Sequence, residues 1–188
     1  MIYNVEDLKK AYNAGQKMKF LFFWKPTPAE DGHICESCLG QWWESRFQVD
    51  GVEYTCAEQF MMAEKARMFG DKVMLAKIME TSSPKEMKAY GRAVAGFDKT
   101  TWDNTCYEIV KRGNLAKFTQ NPDLLEFLCT TKNRILVEAS PRDRIWGIGM
   151  GKTNPDAECP PKWRGKNLLG FALAEVRDQL LAEKGEAK

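Results

Sequence analysis

Apolar residues recur with the period of an α-helix in some segments of the chain and with the period of a β-strand in others. Apolar and polar positions alternate on both sides of Asp50-Gly51, and this turn signal predicts a β-hairpin over residues 46–55. Short apolar runs predict strands over residues 18–24 and 135–138. The remaining periodic segments predict helices over 5–13, 56–69, 71–80, 84–90, 102–119, 122–131 and 167–183.

Local signals support several of these helix ends. Asn4 precedes the first helix, and Ser83-Pro84-Lys85-Glu86 combines a serine cap, a proline at the first position and a glutamate at the third. The stretch 25–40 contains two prolines and an Asp-Gly pair, which predicts a long loop. The balance of elements predicts a mainly helical α+β fold with a small sheet, in a single compact domain.

Composition narrows the class of protein. The 188 residues carry 28 basic and 26 acidic side chains, a formal charge of +2, so overall charge does not indicate a nucleic-acid-binding protein. No apolar run approaches the roughly 20 residues that a membrane span requires. The first residues lack the basic and apolar regions of a signal peptide, and we therefore expect a cytoplasmic protein without membrane partners.

The cysteines and the single histidine limit the chemistry. Cys35 and Cys38 form a C-x-x-C motif two residues after His33, but the other four cysteines are scattered. A structural zinc site usually takes four ligands from two such pairs, so we expect reduced cysteines and no metal. A zinc-stabilised interaction protein stays an alternative. One histidine also excludes an H-E-x-x-H metalloprotease.

A glycine-punctuated segment near the C-terminus combines aromatic and basic residues. Residues 143–149 and 163–170 hold two tryptophans with several arginines and lysines, which suits a flat ligand that carries phosphate. A helix start near residue 167 would add backbone N–H donors. The alternative is an irregular loop fixed by its tryptophans. Residues 147–153 satisfy neither a P-loop nor a dinucleotide fingerprint, because Trp146 and Lys152 occupy required glycine positions.

Glu58 and Lys65 are the most informative charged pair. They are seven residues apart on a helix that is apolar on most sides, so they project from one face. A charged side chain on a largely buried helix is costly unless it is paired with an opposite charge or has a role in binding or catalysis. Two structural explanations stay open: Glu58 completes a capping box with Thr55, and Lys65 pairs with Glu64 or extends to solvent.

Five motifs follow one another along the chain. They are Cys56-Ala57-Glu58-Gln59-Phe60-Met61-Met62-Ala63-Glu64-Lys65, then Gly91-Arg92 with Trp102, Asp143-Arg144-Ile145-Trp146-Gly147-Ile148-Gly149, Trp163-Arg164-Gly165-Lys166-Asn167-Leu168-Leu169-Gly170, and Glu175-Val176-Arg177. In this order they resemble the motifs of the NADAR family, whose name abbreviates a proposed association with NAD and ADP-ribose. The chain departs from the family at Gly40-Gln41-Trp42-Trp43-Glu44, where the family often has a Ser-Asn-Phe segment.

The resemblance implies a NADAR-like domain over residues 39–183, with an N-terminal extension, residues 1–38, packed on it and a frayed tail at 184–188. It also implies an N-glycosidase, a hydrolase of a ribose–nitrogen bond that needs no cofactor. One family branch removes ADP-ribose from guanine in nucleic acid and opposes ADP-ribosyltransferases, and this is the activity we expect. A second branch cleaves ribosylamino-pyrimidine phosphates of riboflavin biosynthesis. An alternative of another class is a non-catalytic module that binds ADP-ribose or a nucleotide.

Under this hypothesis Lys65 is the nucleophile that forms a Schiff base, and Glu58 is the general acid and base. Glu58 or Asp143 activates water if no Schiff base forms. The tryptophans are expected to stack on the base, the cations to hold phosphates, and Asn167 to bond sugar hydroxyls. The residues expected to contact the substrate are Arg92, Trp102, Arg144, Trp146, Gly147, Lys166 and Asn167.

Overall fold

The computed structural model describes residues 1–186 and divides into two units. One unit comprises Met1–Gly40 together with the described residues from Asp123 onward, and the other comprises Gln41–Pro122. The described residues form α1 (Val5–Asn13), β1 (Phe20–Phe23), β2 (Phe47–Val49), β3 (Val52–Tyr54), α2 (Ala57–Met68), α3 (Lys72–Glu80), α4 (Pro84–Arg92), α5 (Lys99–Gln120), α6 (Pro122–Thr130), β4 (Ile135–Glu138) and α7 (Leu168–Glu186). Short 3-10 helices cover Glu36–Leu39 and Pro160–Lys162. The predicted mainly helical α+β class is confirmed.

The first unit is built on a parallel pair of strands. β1 and β4 are paired in parallel, with Phe20 opposite Ile135 and Phe23 opposite Glu138. The α7 helix packs against β4, and it can do so closely because residue 170 is a glycine. A Cβ atom on Gly170 would lie 2.1 Å from the carbonyl oxygen of Leu136. The predicted strands at 18–24 and 135–138 are thus present, the first in a shorter form.

The second unit surrounds α2 with a hairpin and three helices. In the hairpin, Asp50 and Gly51 both have positive φ, which the predicted two-residue turn requires. The helices α3, α4 and α5 all pack on α2, which explains why α2 is apolar on most sides. Gly113 of α5 allows close approach, since a Cβ there would lie 2.4 Å from Cδ1 of Phe60.

Most helix boundaries agree with the prediction to within two residues. Asn4 caps α1 by accepting a hydrogen bond from the Asp7 N–H, and Ser83 caps α4 in the same way through the Glu86 N–H. The α5 helix begins three residues earlier than predicted, because Asp98 caps it through the Thr101 N–H. The α7 helix continues to Glu186, and residues 187–188 of the predicted tail lie outside the described residues. Among the described residues, no helix is long and apolar enough to cross a membrane.

Candidate active site

Lys65 is half-buried on α2 and faces aromatic rings. Its Nζ atom lies 4.1 Å from the ring centroid of Phe97 and 5.4 Å from that of Trp102. Burial lowers the pKa of the Lys65 ammonium from its usual range, and the positive charge of Arg92 lowers it further. This environment increases the fraction of neutral amine, the form in which a lysine can attack carbon.

The alternative that Lys65 pairs with Glu64 is wrong. The Glu64 carboxylate instead forms ion pairs with Arg67 at 2.7 Å and with Arg112 at 3.4 Å. Within the described part of the chain, no carboxylate lies within ion-pair distance of Lys65. A half-buried lysine without an acidic partner loses solvation without compensation from a counter-ion, which is typical of reactive lysines.

Glu58 lies in the first turn of α2 and is only 5% exposed. The alternative that it completes a capping box is wrong, because the helix begins one residue later than that box requires. Cys56 is the N-cap residue, and Gln59 reaches back to accept hydrogen bonds from the Thr55 N–H at 2.8 Å and the Thr55 hydroxyl at 3.1 Å. A capping box therefore does not account for the buried carboxylate at position 58.

Arg92 ends α4 at a point where this helix comes close to α2. A Cβ on the preceding residue, Gly91, would lie 2.0 Å from the sulfur of Met62, so only a glycine fits without repacking. The Arg92 side chain is exposed, and its charge acts on Lys65. The second unit therefore brings three predicted site residues together, namely Lys65, Arg92 and Trp102.

Phe97 is a neighbour of Lys65 that the sequence analysis did not identify. It is 44% exposed and its ring packs edge-on against Phe69, with centroids 5.4 Å apart. It lies in the loop between α4 and α5, after Gly96, which has a φ of 67°. The only signal of Phe97 in the sequence is its position as an isolated aromatic residue between Gly96 and the helix cap Asp98.

The other predicted residues belong to the first unit, where two segments are joined by backbone hydrogen bonds. The N–H groups of residues 164 and 166–169 donate to carbonyl groups within residues 144–148; we call this arrangement the loop ladder. It leaves Arg144 and Lys166 exposed and Trp146 half-buried. Asp143 shapes the same loop, because its Oδ1 atom accepts the N–H groups of Ile145 at 2.9 Å and Trp146 at 2.8 Å.

The loop ladder occupies the donors that the sequence suggested for a ligand. The N–H groups of Asn167, Leu168 and Leu169 donate to carbonyls of residues 147, 145 and 146. The expectation that this helix start offers these N–H groups to an anion is therefore wrong. Gly147 is also enclosed, since a Cβ atom there would lie 2.8 Å from the Glu138 carbonyl oxygen.

Asn167 is buried with no exposed surface, and its amide binds the strand β4. The Nδ2 group donates to the Leu136 carbonyl at 2.9 Å, and Oδ1 accepts the Glu138 N–H at 3.0 Å. Its φ of 54° is in the left-handed region, which asparagine tolerates better than most residues. These contacts give Asn167 a structural role, and we do not retain it as a sugar contact.

The cysteines do not form a metal centre in the described residues. All six are free thiols, and no three histidine, cysteine, aspartate or glutamate side chains of the described chain converge as a metal site requires. The alternative of a zinc-stabilised protein therefore has no support in the structure.

Comparison with known proteins decides the family. Residues 22–181 match the model of the NADAR domain. The chain belongs to the NADAR family. The NADAR relative N-glycosidase R617 of Acanthamoeba polyphaga mimivirus is 42% identical over 167 residues, which cover 86% of this chain and 96% of that protein. N-glycosidase YbiA of Escherichia coli K12 is 31% identical over 138 residues, which cover 73% and 77% of the two chains.

The fold is shared with a solved structure. The NMR structure of the E. coli protein YbiA superposes with a TM-score of 0.72 at 25% identity, over 90% of this chain and 89% of that one. The predicted resemblance is confirmed. The predicted enzyme class, a hydrolase acting on N-glycosyl bonds, is confirmed by the N-glycosidases among the NADAR relatives.

Proposed function

We propose that this NADAR protein removes ADP-ribose from ADP-ribosylated guanine in nucleic acid, through a Schiff base on Lys65. The observation that supports this proposal most directly is the environment of Lys65. Its amine lies against two aromatic rings, has a lowered pKa and has no carboxylate partner among the described residues. These are the properties of a lysine that acts as a nucleophile.

The proposed reaction has three steps. The neutral amine of Lys65 attacks C1 of the ribose while Glu58, in its acid form, protonates the departing guanine nitrogen, so that the C1–N bond to the base breaks. A proton then passes from the new C1-bound nitrogen to the ring oxygen, and the sugar opens to a Schiff base. Water, deprotonated by Glu58, adds to the C=N bond and releases ADP-ribose and the free amine.

The positions of Glu58 and Lys65 are consistent with these roles. Seven residues correspond to a rise of about 10 Å along an α-helix, so the two functional groups are separate and one side chain does not neutralise the other. Glu58 is only 5% exposed, so its carboxyl group is largely shielded from bulk water, as is typical of a general acid that protonates a leaving group. Trp102 and Phe97 keep water away from the amine of Lys65.

The remaining residues have supporting roles in the proposal. Arg92 is an exposed cation near Lys65 and is assigned to a substrate phosphate. Arg144 and Lys166, which the loop ladder leaves exposed, are assigned to phosphates, and Trp146 to stacking on a base. Asp143 is assigned to water activation only if the reaction proceeds without a Schiff base.

The test uses DNA that carries ADP-ribosylated guanine. The wild-type protein is expected to release ADP-ribose, detected by mass spectrometry, and borohydride is expected to trap a covalent adduct. Lys65→Ala and Lys65→Arg should lose both signals, and Glu58→Gln should reduce release by about 10²- to 10⁴-fold. Lys72→Ala, which removes an exposed lysine of α3, is the matched control. Full turnover by Lys65→Ala would exclude the Schiff-base route.

A second candidate substrate is a ribosylamino-pyrimidine phosphate. The net charge of only +2 favours it, because a small phosphorylated substrate needs less basic surface than a polymer. Release of ribose phosphate from this compound, with no release of ADP-ribose from modified DNA, would assign the protein to that substrate. Activity on the DNA would instead link the protein to an ADP-ribosyltransferase that produces its substrate.

A further inference from the structure

A cavity of about 700 Å³ lies within the first unit, beyond the carboxyl ends of its two parallel strands. Trp24 follows β1, Ala139 follows β4, and both line the cavity. The two strand ends are held together by a hydrogen bond of 2.9 Å from the Ala139 N–H to the Phe23 carbonyl. Crevices at the carboxyl ends of parallel strands are preferred ligand sites, and this volume suits a small organic molecule.

Trp24 gives this cavity an aromatic face. The side chain is 44% exposed, although it directly follows a strand whose last residue is buried. The Nζ atom of Lys25 lies 5.0 Å from the centroid of the Trp24 ring. An exposed tryptophan beside a cation is a typical platform for a nucleotide, because every base has a π-face that can stack on the ring and every nucleotide carries a phosphate that a cation can bind.

The polar lining complements the other parts of a nucleotide. Lys25 and Lys152 are exposed, and neither forms an ion pair with a carboxylate in the described part of the chain. Both are therefore available to a phosphate. Glu36 also lines the cavity, and a carboxylate in this setting can accept hydrogen bonds from ribose hydroxyl groups, as acidic residues do in dinucleotide sites.

We infer that this cavity binds a nucleotide, with its base on Trp24, its phosphate paired with Lys25 and Lys152, and its ribose hydroxyls bonded to Glu36. The nucleotide can come from two sources: free adenosine monophosphate, or a nucleotide within a single-stranded nucleic acid. The inference rests on the lining of the cavity and does not depend on the proposed function. It uses none of the residues assigned to bond cleavage.

Titration calorimetry with two probes tests the inference. The probes are adenosine monophosphate and a short unmodified single-stranded oligonucleotide, titrated into the wild-type chain and into Lys65→Ala, in which we expect no turnover. Trp24→Ala is expected to weaken binding about tenfold or more through loss of stacking. Lys152→Ala should weaken it less and reduce its salt dependence, whereas Lys72→Ala should leave it unchanged.

The two probes separate the sources. Trp24-dependent binding of adenosine monophosphate assigns the cavity to free mononucleotides, and Trp24-dependent binding of the oligonucleotide alone assigns it to single-stranded nucleic acid. Absence of binding by both probes, or binding that Trp24→Ala leaves intact, overturns the inference. Neither result depends on cleavage. If the protein does not cleave the proposed substrate, the titrations still report whether the cavity binds a nucleotide. If the cavity binds no nucleotide, Lys65-dependent release of ADP-ribose is still expected.

Discussion

The ammonium group of Lys65 lies 4.1 Å from the centroid of the Phe97 ring. The ring has two opposing effects on this amine. Its π-face stabilises the charged form by about 0.5–1 kcal/mol, which corresponds to less than one pKa unit. Its bulk excludes water, and this desolvation disfavours the charged form. Substitutions around Lys65 can therefore shift its pKa in either direction.

Removal of the Arg92 charge should raise the pKa of Lys65. Arg92 lowers that pKa by charge repulsion, so Arg92→Gln favours the ammonium form. If the neutral amine attacks, the acidic limb of the pH profile of kcat/KM should move to higher pH. A profile measured beside Lys72→Ala checks this. A loss of affinity with no movement of the limb would leave Arg92 as a phosphate contact only.

Phe97→Leu should shift the acidic limb of the pH profile of kcat/KM in the direction opposite to that expected for Arg92→Gln. Leucine keeps much of the apolar surface that excludes water, but it removes the π-face that stabilises the ammonium. The pKa of Lys65 should therefore fall by less than one unit, and the acidic limb should move to lower pH. Opposite shifts in Arg92→Gln and Phe97→Leu would show that the acidic limb reports the titration of Lys65. A shift to higher pH in both would contradict the role given to the ring.

Asn167→Ala should reduce stability rather than substrate affinity. The substitution leaves the buried Leu136 carbonyl and Glu138 N–H without the partners they have at 2.9 and 3.0 Å. Each buried group without a partner costs about 1–3 kcal/mol. Urea denaturation should show this loss, while KM of the folded protein stays unchanged. A raised KM with unchanged stability would instead indicate that Asn167 contacts the substrate.

Two glycines of α7 should respond oppositely to alanine. At Gly170 the new Cβ meets the Leu136 carbonyl oxygen at 2.1 Å, whereas at Gly185 no atom lies within 4 Å. Gly170→Ala should destabilise the protein by about 1–3 kcal/mol. Gly185→Ala should stabilise it by up to about 0.5–1 kcal/mol, because alanine is the better helix former. Thermal denaturation of both variants is the measurement; equal effects would show that α7 does not pack closely on β4.

Local signals were sufficient for much of the fold. Several features depend only on residues that are close together in the sequence, so the sequence predicts them directly. They are the Asp50-Gly51 turn, the Ser83 cap and the seven-residue spacing of Glu58 and Lys65. The β1–β4 pairing was not predictable in this way, because the two strands are far apart in the chain and their pairing depends on the tertiary structure.

The site was predicted less completely than the fold. The capping box failed by one position, since Gln59 reaches the Thr55 N–H and satisfies the role that the pattern gave to Glu58. The amide of Asn167 looked available for sugar because neither its positive φ nor its burial can be seen in a sequence. Phe97 was missed because an isolated aromatic residue in a loop carries no periodic signal.

The loop ladder holds both ends of residues 149–163, from Ile148 to Arg164. Met150, Ala157 and Trp163 within this segment are buried, whereas residues 152 and 153 are exposed. Substitutions at these two exposed positions should therefore be tolerated without displacing Arg144 or Lys166. Lys152 and Thr153 are part of this segment and line the cavity beside Trp24. Evolution can thus change what that cavity accepts while the residues assigned to cleavage stay in place.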